Sequence, residues 1–195
     1  NGMVYIRGQK EDYDRWEQAG NAGWSYSDVL PYFKKSEACE RGAGPYHGST
    51  GELRVAKSRA SNPLFRAFID AGVQAGYRAN DDFNAERQDG FGFFDFNIHQ
   101  GRRWNTATAL LKPALKRPNL TLHARALVEK IQIREQRAES VTYLRQGVRS
   151  TAKARREIVL CAGAINTPQL LMLSGIGPRD HLQAMGIETV HALPG

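Results

Sequence analysis

Residues 156–177 read REIVLCAGAINTPQLLMLSGIG. A first apolar run (156–162) ends in Ala162-Gly163-Ala164, and a second follows Thr167-Pro168 and stops at Ser-Gly-Ile-Gly. The first run is short, uninterrupted and bounded by small residues, which predicts a buried strand. Thr167 is a candidate helix cap and Pro168 suits a first helical turn, so the spacing predicts a helix over 168–173. Side chains this small at 162–164 leave the main chain open to a ligand. On spacing alone, close packing of helix on strand is the simpler explanation.

Upstream, LTLHARALVEKIQIRE alternates apolar and polar residues, SVTYLRQG (140–147) does the same, and QRAE makes a short turn between them. Period-two alternation predicts strands, and with the segment from Thr151 they form a β-meander. Downstream, 179–185 is a short helix and ETVHALPG begins a strand.

The first 116 residues are organised differently. KEDYDRWEQA (10–19) has an acidic start and a glycine stop, predicting a helix. Ser27 is a candidate cap for a second helix over roughly 28–40, with Pro31 in its first turn. The glycine-rich ERGAGPYHGSTGE (40–52) is a loop of the length that is usually functional or mobile. LRVAK (53–57) is a strand candidate. Asn62-Pro63 starts a helix whose Leu64, Phe65, Phe68, Ile69 and Val73 recur at helical spacing, with Gly76 as its stop. Asp81 and Asp82 fall in a polar turn. GFGFFDFNIHQ (90–100) becomes a strand, with Phe93, Phe94 and Phe96 expected in the core, and Asn105 or Thr106 opens a helix to about Leu115. Arg7 is a candidate partner for a cofactor or for a carboxylate such as Asp14, and Tyr5 is expected to pack.

The 195 residues suit one large domain or two small ones. We expect an α+β or α/β chain with a composition shift near 117, giving segments 1–116 and 117–195. Asn1 opens directly in a patterned stretch, so the sequence is expected to be a piece of something longer. Net charge is +7, but the basic residues are scattered and no recognition helix, zinc spacing or RNA-binding aromatic motif accompanies them, so nucleic acid is not an expected partner. No run reaches the length of a membrane span. Cys39 has charged neighbours and is expected as a surface thiol; Cys161 lies in the apolar run and is expected to be buried. Their spacing offers no disulfide framework, which points to a cytoplasmic protein. No histidine pairing suggests a metal site. GxGxxG, the dinucleotide fingerprint, is absent; GAG (41–43), GFG (90–92) and GIG (175–177) lack the third glycine and the flanks.

At this point the residues carry a resemblance. GAINTPQLLMLSGIG resembles the second signature of the glucose–methanol–choline (GMC) flavoprotein oxidoreductases, with Gly163, Ala164, Thr167, Pro168, Leu170, Leu171, Ser174, Gly175, Ile176 and Gly177 at its constrained positions. NGMVYIRGQKEDYD is similar to the second half of the first signature, through Asn1, Tyr5, Gly8 and Asp14. WSYSDVLPYFKKSE, HGSTGELRV, GRRWNTATALLKPALKRPNLTL and ALVEKI follow in family order. Trp104-Asn105 departs from a family position that often holds serine. Choline dehydrogenase-like enzymes are the nearest subgroup.

The resemblance implies a central part of an FAD-dependent alcohol dehydrogenase or oxidase. Residues 1–116 would supply a flavin-proximal segment, a lid loop at 40–52 and substrate-domain elements. Residues 117–195 would supply part of a Rossmann-like FAD domain. Asn1, Gly2, Met3 and Val4 would run along the flavin, Val128 would bind adenine through its backbone, and Ala162, Gly163 and Ala164 would approach the adenosine end. The substrate would be a small alcohol, such as choline or an aliphatic or aromatic primary alcohol, and oxygen, a quinone or another group the electron acceptor. Peripheral attachment to the inner membrane is compatible with this. The catalytic histidine of the family is expected beyond Gly195. His47, His99, His123, His181 and His191 do not match its motif, so no catalytic residue is assigned to this chain.

Overall fold

A computed structural model describes residues 2–194 and shows a mixed α+β chain in two compact units, the first ending at Thr121 and the second beginning at Leu122. Asn1, the first of the cofactor candidates, lies outside the described residues.

The first unit runs β1 (Val4–Tyr5), α1 (Lys10–Gln18), α2 (Tyr26–Ser36), β2 (Glu37–Cys39), β3 (Leu53–Val55), α3 (Pro63–Gln74), β4 (Asp95–Phe96), β5 (Ile98–His99) and β6 (Arg102–Arg103). A π-helical turn over Ala107–Leu111 follows and continues into α4 (Lys112–Ala114). The strands form three small pairs: β1 with β4 and β5 with β6 antiparallel, β2 with β3 parallel.

Helix α2 starts at Tyr26 rather than near 28, and its cap is Ser25, not Ser27. The Ser25 hydroxyl accepts from the Asp28 N–H, and the Asp28 carboxylate accepts from the Ser25 N–H, so both ends of a capping box favour this start. Pro31 is therefore the sixth helical residue instead of a first-turn residue. The helix stops at Ser36 because Glu37–Cys39 pair with Leu53–Val55. Helix α3 has the expected Asn62 cap, whose side chain accepts from Leu64 N–H, and Pro63 opens it. Of its apolar face only Ile69 is buried; Leu64, Phe65 and Phe68 are 72%, 53% and 68% exposed. Phe94 is likewise exposed, not in the core. The interior of the unit combines Ala38, Cys39, Val55, Phe83 and Ala109 with buried polar groups, Arg7, Glu37, His47, Asn84 and Asp95 among them.

The second unit runs β7 (Ala126–Arg134), β8 (Arg137–Arg145), β9 (Val148–Lys153), α5 (Gly163–Leu173), β10 (Ile176–Gly177), α6 (Arg179–Ala184) and β11 (His191–Ala192). Strands β7, β8 and β9 form an antiparallel meander in that order, with register shifts at Glu129 and between Gln132 and Ile133. Strands β10 and β11 pair in parallel. Ser174, 1% exposed, joins α5 to the meander: its Oγ accepts from Ile131 N–H at 2.9 Å and donates to Leu170 O at 2.7 Å. Ile131 and Leu170, which Ser174 joins, are buried, as is Leu182 on α6.

The run 156–162 corrects an expectation. It forms no strand and is largely exposed, Val159 to 72%. A strand needs a neighbour for its N–H and C=O groups, and none pairs with this run among the described residues. Helix α5 also begins earlier than spacing suggested, at Gly163, with Pro168 as its sixth residue. Thr167 is not the cap; its hydroxyl, one turn inside, accepts from the Ala162 N–H. The cysteines exchange their expected places, Cys39 being buried and Cys161 exposed.

Candidate functional site

The residues expected to meet a cofactor fall in two places, one in each unit. In the first, Gly2, Met3 and Val4 are exposed, and a Cβ at Gly2 would meet nothing within 4 Å. Their backbone is held from one side. Val4 pairs with Phe96, Met3 O accepts from Asn97 N–H, and Gly2 O accepts from Arg103 Nη2 at 2.6 Å. The segment is thus fixed in place while residues 2–4 remain exposed on the surface.

In the second unit, Val128 lies on β7 immediately before Glu129, which the ladder skips. Val128 is 38% exposed. Ala162, Gly163 and Ala164 are exposed too. Gly163 adopts φ +89, where L side chains are disfavoured, and a Cβ there would again meet nothing within 4 Å. No side chain caps α5. The first N–H groups of a helix lack internal partners and carry the positive end of its dipole. An exposed, uncapped N-terminus flanked by Ala and Gly is a surface on which a ribose hydroxyl or phosphate oxygen can be held by backbone.

A second set of residues meets around Arg7, which was expected to pair with a cofactor or a carboxylate; Glu37 and Asn84 in it had not been singled out. The Arg7 guanidinium lies 2.7 Å from Glu37 Oε1 and donates to Tyr46 O, and it stacks over the Phe33 ring at 5.0 Å. Asp14, the expected partner of Arg7, instead accepts from Tyr26 N–H. His47 stands between two carboxylates, Nδ1 at 3.0 Å from Glu37 Oε1 and Nε2 at 2.8 Å from Asp82 Oδ2. Arg41 donates to Asp95 and to Asp81, so the aspartates at 81 and 82 are more than a turn. Tyr5 packs, as expected, but its hydroxyl also accepts from Arg7 Nε.

The charge states follow from these contacts. Hydrogen bonds to Asp82, Cys39 and Glu37 push His47 from 6.5 up to about 11, against burial. Burial raises Glu37, but bonds from His47, Arg7 and Gly48 N–H outweigh it and hold it below the usual carboxylate range. Asp82 is lowered in the same way, burial being overcome by His47 and the Asn84 N–H. Burial pushes Tyr5 up to about 12.

Asn84, 3% exposed, supplies the other link. Its Oδ1 accepts from Arg7 N–H at 2.9 Å and its Nδ2 donates to Tyr5 O at 3.1 Å. One carboxamide therefore gives the end of β1 the pair of bonds a neighbouring strand would give. No spacing rule could have singled out Asn84 or His47, because their partners come from distant parts of the chain. A cleft of about 960 Å³ opens beside this network and is lined by Arg7, Lys10, Asp14, Tyr26, Asn84 and Gln88 among others. Among the described residues, none of the cofactor candidates lines it. Among the described residues, no cluster of His, Cys, Asp or Glu is arranged to hold a metal ion, and no helix is long and apolar enough to cross a membrane.

This layout, backbone left open at glycine and alanine beside a helix N-terminus, suits a protein that holds a large polar cofactor mainly by main chain. Comparison with known proteins gives the family. The sequence model of the GMC oxidoreductases matches residues 1–191. The oxygen-dependent choline dehydrogenase of Brucella ovis is 49% identical over all 195 residues, which cover 35% of that protein. Among solved structures, pyridoxine 4-oxidase from Mesorbium loti superposes with a TM-score of 0.88 at 34% identity, over 98% of this chain and 38% of that one. An FAD-dependent oxidoreductase from Chaetomium thermophilum gives 0.87 at 31% identity, over 98% and 36%. The chain belongs to the GMC oxidoreductase family. It spans about a third of the length of the curated relatives it matches. The matching model is that of the family's N-terminal domain, which replaces the expectation of a central piece.

Proposed function

We propose that this chain is part of an FAD-dependent oxidoreductase that oxidises a small alcohol. The observation that carries this reading is the signature segment itself: Ala162-Gly163-Ala164 lies exposed at the uncapped N-terminus of α5, with open space where a Gly163 side chain would stand. Gly2, Met3 and Val4 would line the flavin, with Asn1 beside them, and Val128 would meet adenine through its backbone. Ala162, Gly163 and Ala164 would approach the adenosine end. Residues 1–116 would then serve the flavin edge and substrate side, and 117–195 the FAD domain.

The chemistry that FAD would supply when bound is acceptance of a hydride from the alcohol carbon. This chain's part is to position and to exclude water. His47 is not the base that takes the hydroxyl proton: a catalytic base works best near neutrality, and both nitrogens of His47 are committed to carboxylates. Choline is a reasonable first substrate because the curated relatives are named choline dehydrogenases. Pyridoxine oxidation by a structural relative keeps other primary alcohols in view. The acceptor would be oxygen or a quinone. Two free cysteines, one of them exposed, suit a reducing cytoplasm.

The test uses the longer protein containing this chain. Gly2→Leu and Ala162→Gln add side chains where the chain itself leaves space. Flavin affinity is expected to drop roughly tenfold or more in each, an effect of the size one badly placed contact produces, with the far-ultraviolet circular dichroism unchanged. Full flavin content in both variants would remove these segments from the cofactor site.

A further inference from the structure

Loop 40–52 has the composition of a mobile segment, yet it is fastened throughout. Arg41 bonds to Asp81 and Asp95. Within the loop, Gly44 N–H donates to His47 O, and at its far end Gly48 O accepts from Cys39 N–H while Gly51 N–H donates to Glu37 O. Gly48 and Gly51 press against the backbone of Lys34 and Ser36, where a Cβ would collide. The Tyr46 carbonyl accepts from Arg7.

His47 is the centre of this arrangement. It is 6% exposed, and each ring nitrogen faces a carboxylate oxygen. An ionised carboxylate only accepts, so both nitrogens must carry hydrogen, and the ring is an imidazolium. Glu37, which takes one of these bonds, also takes the Arg7 guanidinium, three residues beyond Val4. Asp82, which takes the other, accepts from the N–H of Asn84, the residue that bonds Tyr5 O and Arg7 N–H. The groups that face His47 are thus Glu37 and Cys39 from β2 and Asp82 from the loop between α3 and β4, with Arg7 and Arg41 behind those carboxylates.

We propose that His47 is a positioning residue: as a cation between Glu37 and Asp82 it fastens loop 40–52 to the base of strand β1, making the loop a fixed wall and not a closing lid. The strand so held carries Met3 and Val4, so the inference extends the flavin reading, although the fastening itself does not depend on it.

The experiment is hydrogen exchange followed by mass spectrometry on the longer protein, with and without saturating choline, on wild type, His47→Gln, His47→Arg and Asp82→Asn. In wild type, 40–52 is expected to be as protected without choline as with it. His47→Gln should speed exchange in both 40–52 and 3–8 by about tenfold, the scale of one lost charged hydrogen bond, and leave 126–153 unchanged. His47→Arg, which restores a cation with several donors, should recover much of the protection in both segments. Asp82→Asn keeps the shape of the loop and gives the same paired loosening should His47→Gln fold poorly. Exchange in 40–52 that slows only when choline is added would overturn the proposal in favour of a lid. Loosening of 40–52 alone, with 3–8 unmoved, would overturn the coupling. Flavin content is measured separately, so failure of the flavin reading leaves these outcomes interpretable.

Discussion

At the scale of single residues, the consequential groups are buried polar ones. Asn84 satisfies two backbone groups at the end of β1. Asn84→Ala leaves both unpaired and is expected to cost about 1–3 kcal/mol, measured by urea unfolding. A cost within error would mean that water replaces the amide. His47 makes stability depend on pH with a definite sign. Its folded pKa, about 11, lies above the usual 6.5, so its contribution is full below 6.5, erodes above it and is gone past 11. Glu37 and Asp82 are shifted down from 4.5 and 3.8, so theirs is present above those values and lost as acid protonates them in the folded state. The stability gap between wild type and His47→Gln should therefore be widest at about pH 5–6.5 and narrow steadily towards alkaline pH. A gap that widens above pH 7 would mean His47 is not the cation described. None of this was legible beforehand. Glu37, His47 and Asp82 show no periodicity, and their meeting depends on how strand β2 and two loops come together. The cysteines failed for a related reason: charged neighbours in sequence said nothing of the burial of Cys39, and apolar neighbours did not cover Cys161.

At the scale of elements, local chemistry was readable and boundaries were not. Asn62-Pro63 identified the start of α3 because cap and proline act within one turn. For α2 and α5 the first plausible cap before a proline was the wrong one. In each helix the proline proved to be the sixth residue, because the helix starts earlier than expected, at Tyr26 and not near 28 and at Gly163 and not at 168. The meander strands β7 and β8 followed from alternation, but the apolar run after β9 did not become a strand, because propensity cannot supply a ladder partner. Two substitutions test this level. Ser25→Ala removes a cap with its reciprocal Asp28 bond and should cost about 1 kcal/mol in a thermal melt. Ser174→Ala strands the Ile131 N–H inside the second unit and should cost about 1–3 kcal/mol; no change would show that α5 is held to β7 by apolar packing alone.

At the scale of the whole molecule, the family was the most legible property. Its signature carries ten constrained positions, whereas composition and charge excluded little. The described chain leaves large apolar side chains uncovered, including Leu64, Phe65 and Phe68 on α3 and Val159 and Ile165 in the second unit. Exposed apolar surface on this scale is unusual for a monomer and marks a surface that something covers. We expect the 195 residues purified alone to bind a hydrophobic dye, to remain colourless and to oxidise no alcohol. Stoichiometric FAD on that piece would mean that its two open surfaces suffice without further chain. The central claim, that these surfaces serve an alcohol-oxidising flavoenzyme, is tested most directly by the absorption spectrum of the longer protein under anaerobic conditions as choline and other primary alcohols are added. The account predicts visible flavin bands that bleach on addition of at least one of these alcohols; a protein that carries no flavin, or whose flavin bands persist with every alcohol, would contradict it.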